Sequence, residues 1–247
     1  MKFNYIFLLL ALVAEIIGTI GGFGSSVFFV PLGNFYFDFY SVLGMTALFH
    51  LSSNLSKIFL FKKGLDKKLL LYIGGPSVLF VILGGFLSKM VKTSALEVIL
   101  GVFLVLFSVL FLIKSEIIVL PNKRNALLGG TLSGFSAGLL GTGGAIRGLT
   151  MAAFNLEKHA FIATSAFIDF MIDFSRTFVY YNNGYIQKEE FYYLPFLLVI
   201  GLVGTYLGKR ILVHIPQEIF KKLSLVLILL IGLTTLVQLA IGSWLPH

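Results

Sequence analysis

Gly18-Thr19-Ile20-Gly21-Gly22-Phe23-Gly24-Ser25-Ser26 interrupts an apolar run from residue 3 to residue 33, and the reading of that run decides the fold. As one helix the run would measure about 46 Å, too long for a hydrocarbon core of about 30 Å without severe tilt. Its glycine-rich centre is where a helix is expected to fail, because glycine gives up the most backbone freedom on ordering. A second stretch, Gly141-Thr142-Gly143-Gly144-Ala145, breaks residues 126 to 154 in the same way.

The two breaks belong to a duplication. A shift of 119 positions lays Gly22 and Gly24 on Gly141 and Gly143, and Pro76 with Gly85 on Pro195 with Gly204. It also lays Asn54-Leu55-Ser56-Lys57-Ile58-Phe59 on Asp173-Phe174-Ser175-Arg176-Thr177-Phe178, keeping polar residue, serine, cation and phenylalanine in step. Repeat 1 covers about 1–119 and repeat 2 about 120–247, together one membrane domain. Each repeat reads as a broken segment followed by three spans: 41–61, 70–88 and 96–113, then 160–181, 191–212 and 219–241. Lys2 and the apolar residues after it resemble a secretory signal, but no A-x-A site follows and the segment has a later counterpart.

Composition agrees with a polytopic membrane protein. Hydrophobic residues make up 57% of the 247 and charged residues 12%, and mean hydropathy is +0.96. Soluble domains run at about 45–50% apolar and about 25% charged, so a soluble globule is excluded. The net charge of +8 sits mainly in short loops beside apolar spans, as membrane topology requires, which argues against nucleic acid as a partner. With no cysteine there is no disulfide, thiolate metal site or thiol nucleophile. The histidines at 50, 159, 214 and 247 lack metal-ligand spacing, and no phosphate loop, H-E-x-x-H or G-x-S-x-G motif occurs. No cofactor, metal or enzymatic reaction is expected.

The basic residues choose between two topologies. If the broken segments cross the membrane, the repeats are parallel and loop cations divide nine against seven. If they fold back as re-entrant hairpins, the repeats are inverted and the same cations divide twelve against four. Cytoplasmic loops carry the excess. The expectation is an all-α protein of two inverted repeats in the cell (inner) membrane, with both termini outside the cytoplasm.

Three features can carry chemistry. Each broken segment resumes as a short helix whose amino terminus lies at mid-depth, where free N–H groups and the positive end of the helix dipole suit an anion. Gly22, Gly24, Ser25, Gly141, Thr142, Gly143 and Gly144 belong to these tips. The bland alternative is that glycine only lets helices approach, as expected of Gly204-x-x-x-Gly208. The second feature is a polar stripe on the first full span of each repeat. Thr46, His50, Asn54 and Lys57 share one helical face, and Ser165, Asp169, Asp173 and Arg176 repeat the spacing. A charge at a helix centre costs about 2.5–3.5 kcal/mol on insertion scales, which makes these residues functional candidates. Lys57 and Arg176 can neutralise an anion, and His50, Asp169 and Asp173 can exchange a proton. Against this stand snorkelling of the cations and a structural Asp173–Arg176 pair. The third feature is Arg147, one turn into the second half-helix, where the first repeat has Phe28. Its fork of donors suits an oxyanion. Glu15, on the incoming arm of the first broken segment, can carry a proton or cap backbone.

With these residues assembled, the whole chain resembles the sulfite exporter TauE/SafE family of membrane transporters. The likeness rests on Gly22-Phe23-Gly24-Ser25-Ser26 with Pro31 soon after, on Gly141-Thr142-Gly143-Gly144, and on the Thr/Ser-rich starts at Thr46 and Thr164-Ser165. The loops Lys63-Gly64-Leu65-Asp66 and Asn183-Gly184-Tyr185-Ile186 look like that family's Gly-x-Asp hinge, the second without the acid. The first break departs by reading Gly24-Ser25-Ser26 where the family often has more glycine. The resemblance implies transport of a small sulfur-containing anion, sulfite or an organosulfonate, coupled to protons. Partners are then the anion, protons and the lipid bilayer. A passive anion channel is the alternative, an intramembrane enzyme using Asp169 and Asp173 a more distant one, and a homodimer is left open.

Overall fold

A computed structural model describes residues 4–21, 24–61, 64–114, 119–186, 190–212, 214 and 217–242. Among them every regular element is helical. The first broken segment is α1 (Tyr5–Gly21) followed by α2 (Ser26–Gly33). Three spans follow: α3 (Phe39–Leu60), a continuous helix Lys67–Ser88, and α6 (Thr93–Ile113). The continuous helix is made of α4 (Lys67–Leu69), a π-helical turn (Leu70–Gly74) and α5 (Gly75–Ser88). The second half repeats the order with α7 (Lys123–Leu140), α8 (Gly144–Ala152), α9 (Lys158–Asn183), α10 (Leu194–Leu212) and α11 (Gln217–Gly242). Each of the six spans expected from sequence is matched by a helix.

Both broken segments fold back on themselves. In the first, Gly18 lies against Ser25, and the Phe7 ring, at the far end of α1, packs 5.7 Å from Phe29 and 4.9 Å from Phe37. In the second, the Ser133 hydroxyl donates to Gly143 O at 2.8 Å, and Gly129, a turn earlier in α7, lies against Thr150, two turns into α8. Contacts that move backward along one arm as they move forward along the other define an antiparallel hairpin. The turns need glycine: Gly24 and Gly141 sit at φ 81° and 75°, in the left-handed region. Gly22 and Phe23 lie outside the described residues. Pro31 lies within α2; the helix forfeits one backbone bond and continues to Gly33, with the Asn34 N–H donating to Val30 O.

The two halves exchange their arms. α1 packs on α10, and α7 packs on the Lys67–Ser88 helix. Both pairs run parallel, since Gly204 and Gly208 meet Glu15 and Thr19 in order, while Gly130, Gly134 and Gly138 meet Ile73, Ser77 and Val81 in order. At the centre α3 and α9 run antiparallel: Gly44 lies against Tyr185, Asn54 bonds Asp173, and the Asp66 N–H donates to Thr164. α6 and α11 are antiparallel too, with Gly101 against Leu236 and Gly232 against Leu104.

Among the described residues, Lys67–Ser88, Thr93–Ile113 and Leu194–Leu212 are long and apolar enough to cross a membrane, with mean hydropathies of 2.0, 2.9 and 1.4. The polar-striped α3 and α9, of 22 and 26 residues, reach about 33 and 39 Å. Their length suffices; their hydropathy is lowered by groups that turn inward. The outer faces expose Leu71, Leu79, Phe86, Leu106, Val199 and Leu202, as lipid contact requires.

Candidate functional site

The tips of both hairpins meet beside the middle turns of α3 and α9. The Ser26 hydroxyl lies 3.3 Å from that of Thr142, and Gly24 faces Gly144 and the Arg147 guanidinium. Among the described residues no side chain caps the start of either half-helix: Ser25 and Gly143 occupy the cap positions, and the Ser25 hydroxyl does not turn back onto the α2 amides. The first N–H groups of α2 and α8 therefore keep their donors for other partners. Around the tips is a small pocket. Its lining brings together Gly24, Ser25, Gly141, Gly143 and Gly144 from the tips, His50, Asn54 and Lys57 from α3, Arg147 from α8, and Asp169, Asp173 and Arg176 from α9. Of the residues expected from sequence, Thr142 stands just behind this lining, its carbonyl accepting from Ser136 at 2.5 Å. Gly22 lies outside the described residues.

The cations do not snorkel. Arg147 is 1% exposed, Arg176 2% and Lys57 7%. Each is ion-paired. The Lys57 ammonium lies 2.9 Å from Glu15, Arg176 lies 2.7 Å from Asp173, and Arg147 grips both oxygens of Asp169 with its two terminal nitrogens. The Asp173–Arg176 pair, the structural alternative to a role in binding, is present, and it also lines the pocket. Arg176 donates further to Ala137 O and Gly141 O, at 3.2 and 2.8 Å, which ties α9 to the C-terminal end of α7 and the second turn. Its Nε is buried without a hydrogen-bond partner among the described residues. Asn54 donates to the other Asp173 oxygen at 2.7 Å, a bond between two positions 119 residues apart.

Glu15, which sequence left between two roles, is the anchor of the first hairpin. Its fully buried carboxylate accepts from Thr19 on its own helix, from Ser25 at the tip, from Ser53 on α3 and from Thr205 on α10, besides pairing with Lys57. Ser25 also lies 2.8 Å from His50 Nε2; since its hydroxyl proton goes to Glu15, the imidazole N–H is the donor in that contact. Ser53, which also receives a bond from the Lys57 ammonium at 2.8 Å, was missed from sequence, because it lies off the spaced stripe.

A second cavity adjoins the first. Gly18, Thr19, Phe161, Ile162, Ser165 and Ala166 line it, and Gly24, Lys57 and Asp169 line both. It leads from the tips toward the amino-terminal end of α9. There Gly64 stands at φ 88° and Asp66 caps the following helix, while the corresponding Gly184 stands at φ 80° at the opposite end of α9. Both hinge glycines are left-handed, so both loops need that residue type.

Helix-start amides, three ion-paired cations and hydroxyls converge on one pocket, and these are the donor types from which an oxyanion accepts. Among the described residues no group of histidine, aspartate and glutamate stands ready to hold a metal ion. The family model described as Sulfite exporter TauE/SafE matches residues 7–235. A protein of Methanocaldococcus jannaschii named "Probable membrane transporter protein MJ0441" is 26% identical, with 90% of this chain and 91% of that protein covered. The chain belongs to the sulfite exporter TauE/SafE family and is a multi-pass membrane protein.

Proposed function

We propose that this TauE/SafE protein is a secondary transporter that moves a small sulfur-containing anion, sulfite or an organosulfonate, together with protons, through a site at the bilayer midplane. It acts in the cell (inner) membrane with both termini outside the cytoplasm, and its halves are inverted repeats. The antiparallel run of α3 against α9 and the exchanged packing of α1 and α7 support that symmetry. The observation that carries the reading is the convergence of two uncapped half-helix starts with Lys57, Arg147 and Arg176 on one pocket. A sulfite or sulfonate group offers three oxygens, enough to accept from the α2 amides, the α8 amides and a guanidinium at once. Rocking one repeat or its hairpins against the rest then opens the site to either side in turn.

The test is sulfite uptake into proteoliposomes, read beside anion-dependent thermal stabilisation. Arg147→Ala is expected to abolish both, and unchanged anion affinity would remove Arg147 from the site. A passive channel would use the same groups but would carry current without stoichiometric proton movement. Proton flux on adding anion separates the two.

A further inference from the structure

The pocket's charges cancel. Lys57, Arg147 and Arg176 face Glu15, Asp169 and Asp173, one carboxylate per cation. An anion that enters therefore finds every cation already engaged, and one carboxylate must give way. The three are not held alike. Glu15 accepts from four hydroxyls besides its lysine. Asp173 has both Arg176 and Asn54. Asp169 has Arg147 as its sole partner among the described residues, and its side chain is 19% exposed, against 4% for Asp173 and 0% for Glu15. It stands where the two cavities adjoin, beside Gly24 and Lys57, so an anion or a proton arriving through the second reaches it. The two-pronged grip of Arg147 on the Asp169 carboxylate is also the geometry in which a guanidinium holds the oxygens of a sulfonate or sulfite.

Building on the transport reading, we propose that the Asp169 side chain is a built-in competitor for the anion at Arg147, and that one proton taken up by Asp169 accompanies each anion bound. A proton from solution adds to a carboxylate oxygen of Asp169, and the ion pair with Arg147 opens. The two freed N–H groups then bind the oxygens of the anion. For a singly charged anion the site's charge is the same before and after, which avoids burying an uncompensated ion. The charged groups facing Asp169 are Arg147 from α8, Lys57 with His50 from α3, and Asp173 and Arg176 along α9; Glu15 of α1 stands behind Lys57. Lys57 and Arg176 have carboxylates of their own and do not replace Arg147.

Purified protein in weakly buffered detergent solution, titrated with sulfite or ethanesulfonate, tests the proposal. The sulfonate has no titrating proton near neutral pH, so protons taken up on its binding go to the protein. The wild type is expected to take up about one proton per anion, with affinity falling up to about tenfold per pH unit as pH rises. Asp169→Asn, of the same shape but without charge, is expected to bind ethanesulfonate more tightly at alkaline pH, without proton uptake and without a pH slope. Wild-type binding without proton uptake, measured on the unaltered protein, would overturn the proposal and leave the transport reading standing. Proton uptake undiminished in Asp169→Asn would overturn it also, by assigning the proton to His50 or Asp173. Failure of both anions to bind the wild type would overturn the transport reading and this proposal together.

Discussion

At the scale of the residue, Glu15 shows what a buried charge demands. Its carboxylate is satisfied by four hydroxyls and an ammonium drawn from α1, the hairpin tip, α3 and α10. Glu15→Gln keeps the shape and leaves Lys57 buried without its counter-ion, a loss of about 3–5 kcal/mol. Thermal unfolding in detergent is expected to fall accordingly, and Glu15→Gln combined with Lys57→Met is expected to regain much of the loss. Glu15 was legible as an ionisable group in an apolar arm, but its anchoring role was not. The donor on α10 is 190 residues away in sequence, and no local spacing encodes such a partner. The stripes on α3 and α9 were legible for the opposite reason: helical periodicity alone sets Asn54 and Lys57, or Asp173 and Arg176, on one face. Periodicity does not say which cation meets which carboxylate, so the Arg147–Asp169 pair came only with the tertiary fold.

At the scale of the element, glycine spacing decides how closely arms approach. A side chain on Gly134 would run into the Ser77 backbone, whereas one on Gly75 would meet nothing within 4 Å. Gly134→Ala is expected to cost about 1–3 kcal/mol by overpacking. Gly75→Ala, at a helical φ of −55°, is expected to be neutral or to stabilise by up to about 1 kcal/mol. Size-exclusion profiles after graded heating would rank the two variants against the wild type. The equivalent prolines show the limit of reading by repeat. Pro195 stands second in α10, where a missing N–H costs nothing. Pro76 stands ten residues into Lys67–Ser88, and the ladder widens to a π-helical turn over Leu70–Gly74 just before it. The same residue at matched positions gives different helices because one copy starts its helix earlier. The broken segments were legible as breaks because their length exceeds a membrane span and their centres are glycine-rich, and as hairpins because the loop cations then divide twelve against four.

At the scale of the whole molecule, the antiparallel run of α3 against α9 sends their carboxyl ends to opposite ends of the bundle. The exposed Leu65 and Asn182 stand near those ends. The chain has no cysteine, so Leu65→Cys and Asn182→Cys introduce single labels without further change. A maleimide that cannot cross membranes is expected to label Asn182→Cys in intact spheroplasts, and Leu65→Cys only after lysis. Labelling of both from one side would rule out inverted repeats. The contact between Asn54 and Asp173 carries one more implication. In a pair of separate, identical half-length chains assembled about a two-fold axis, this position would meet its own copy. Two aspartates there would repel, and two asparagines would bring no charge. Within one polypeptide the position is an amide on one side and a carboxylate on the other, a polarity that a homodimer of half-length chains could not have.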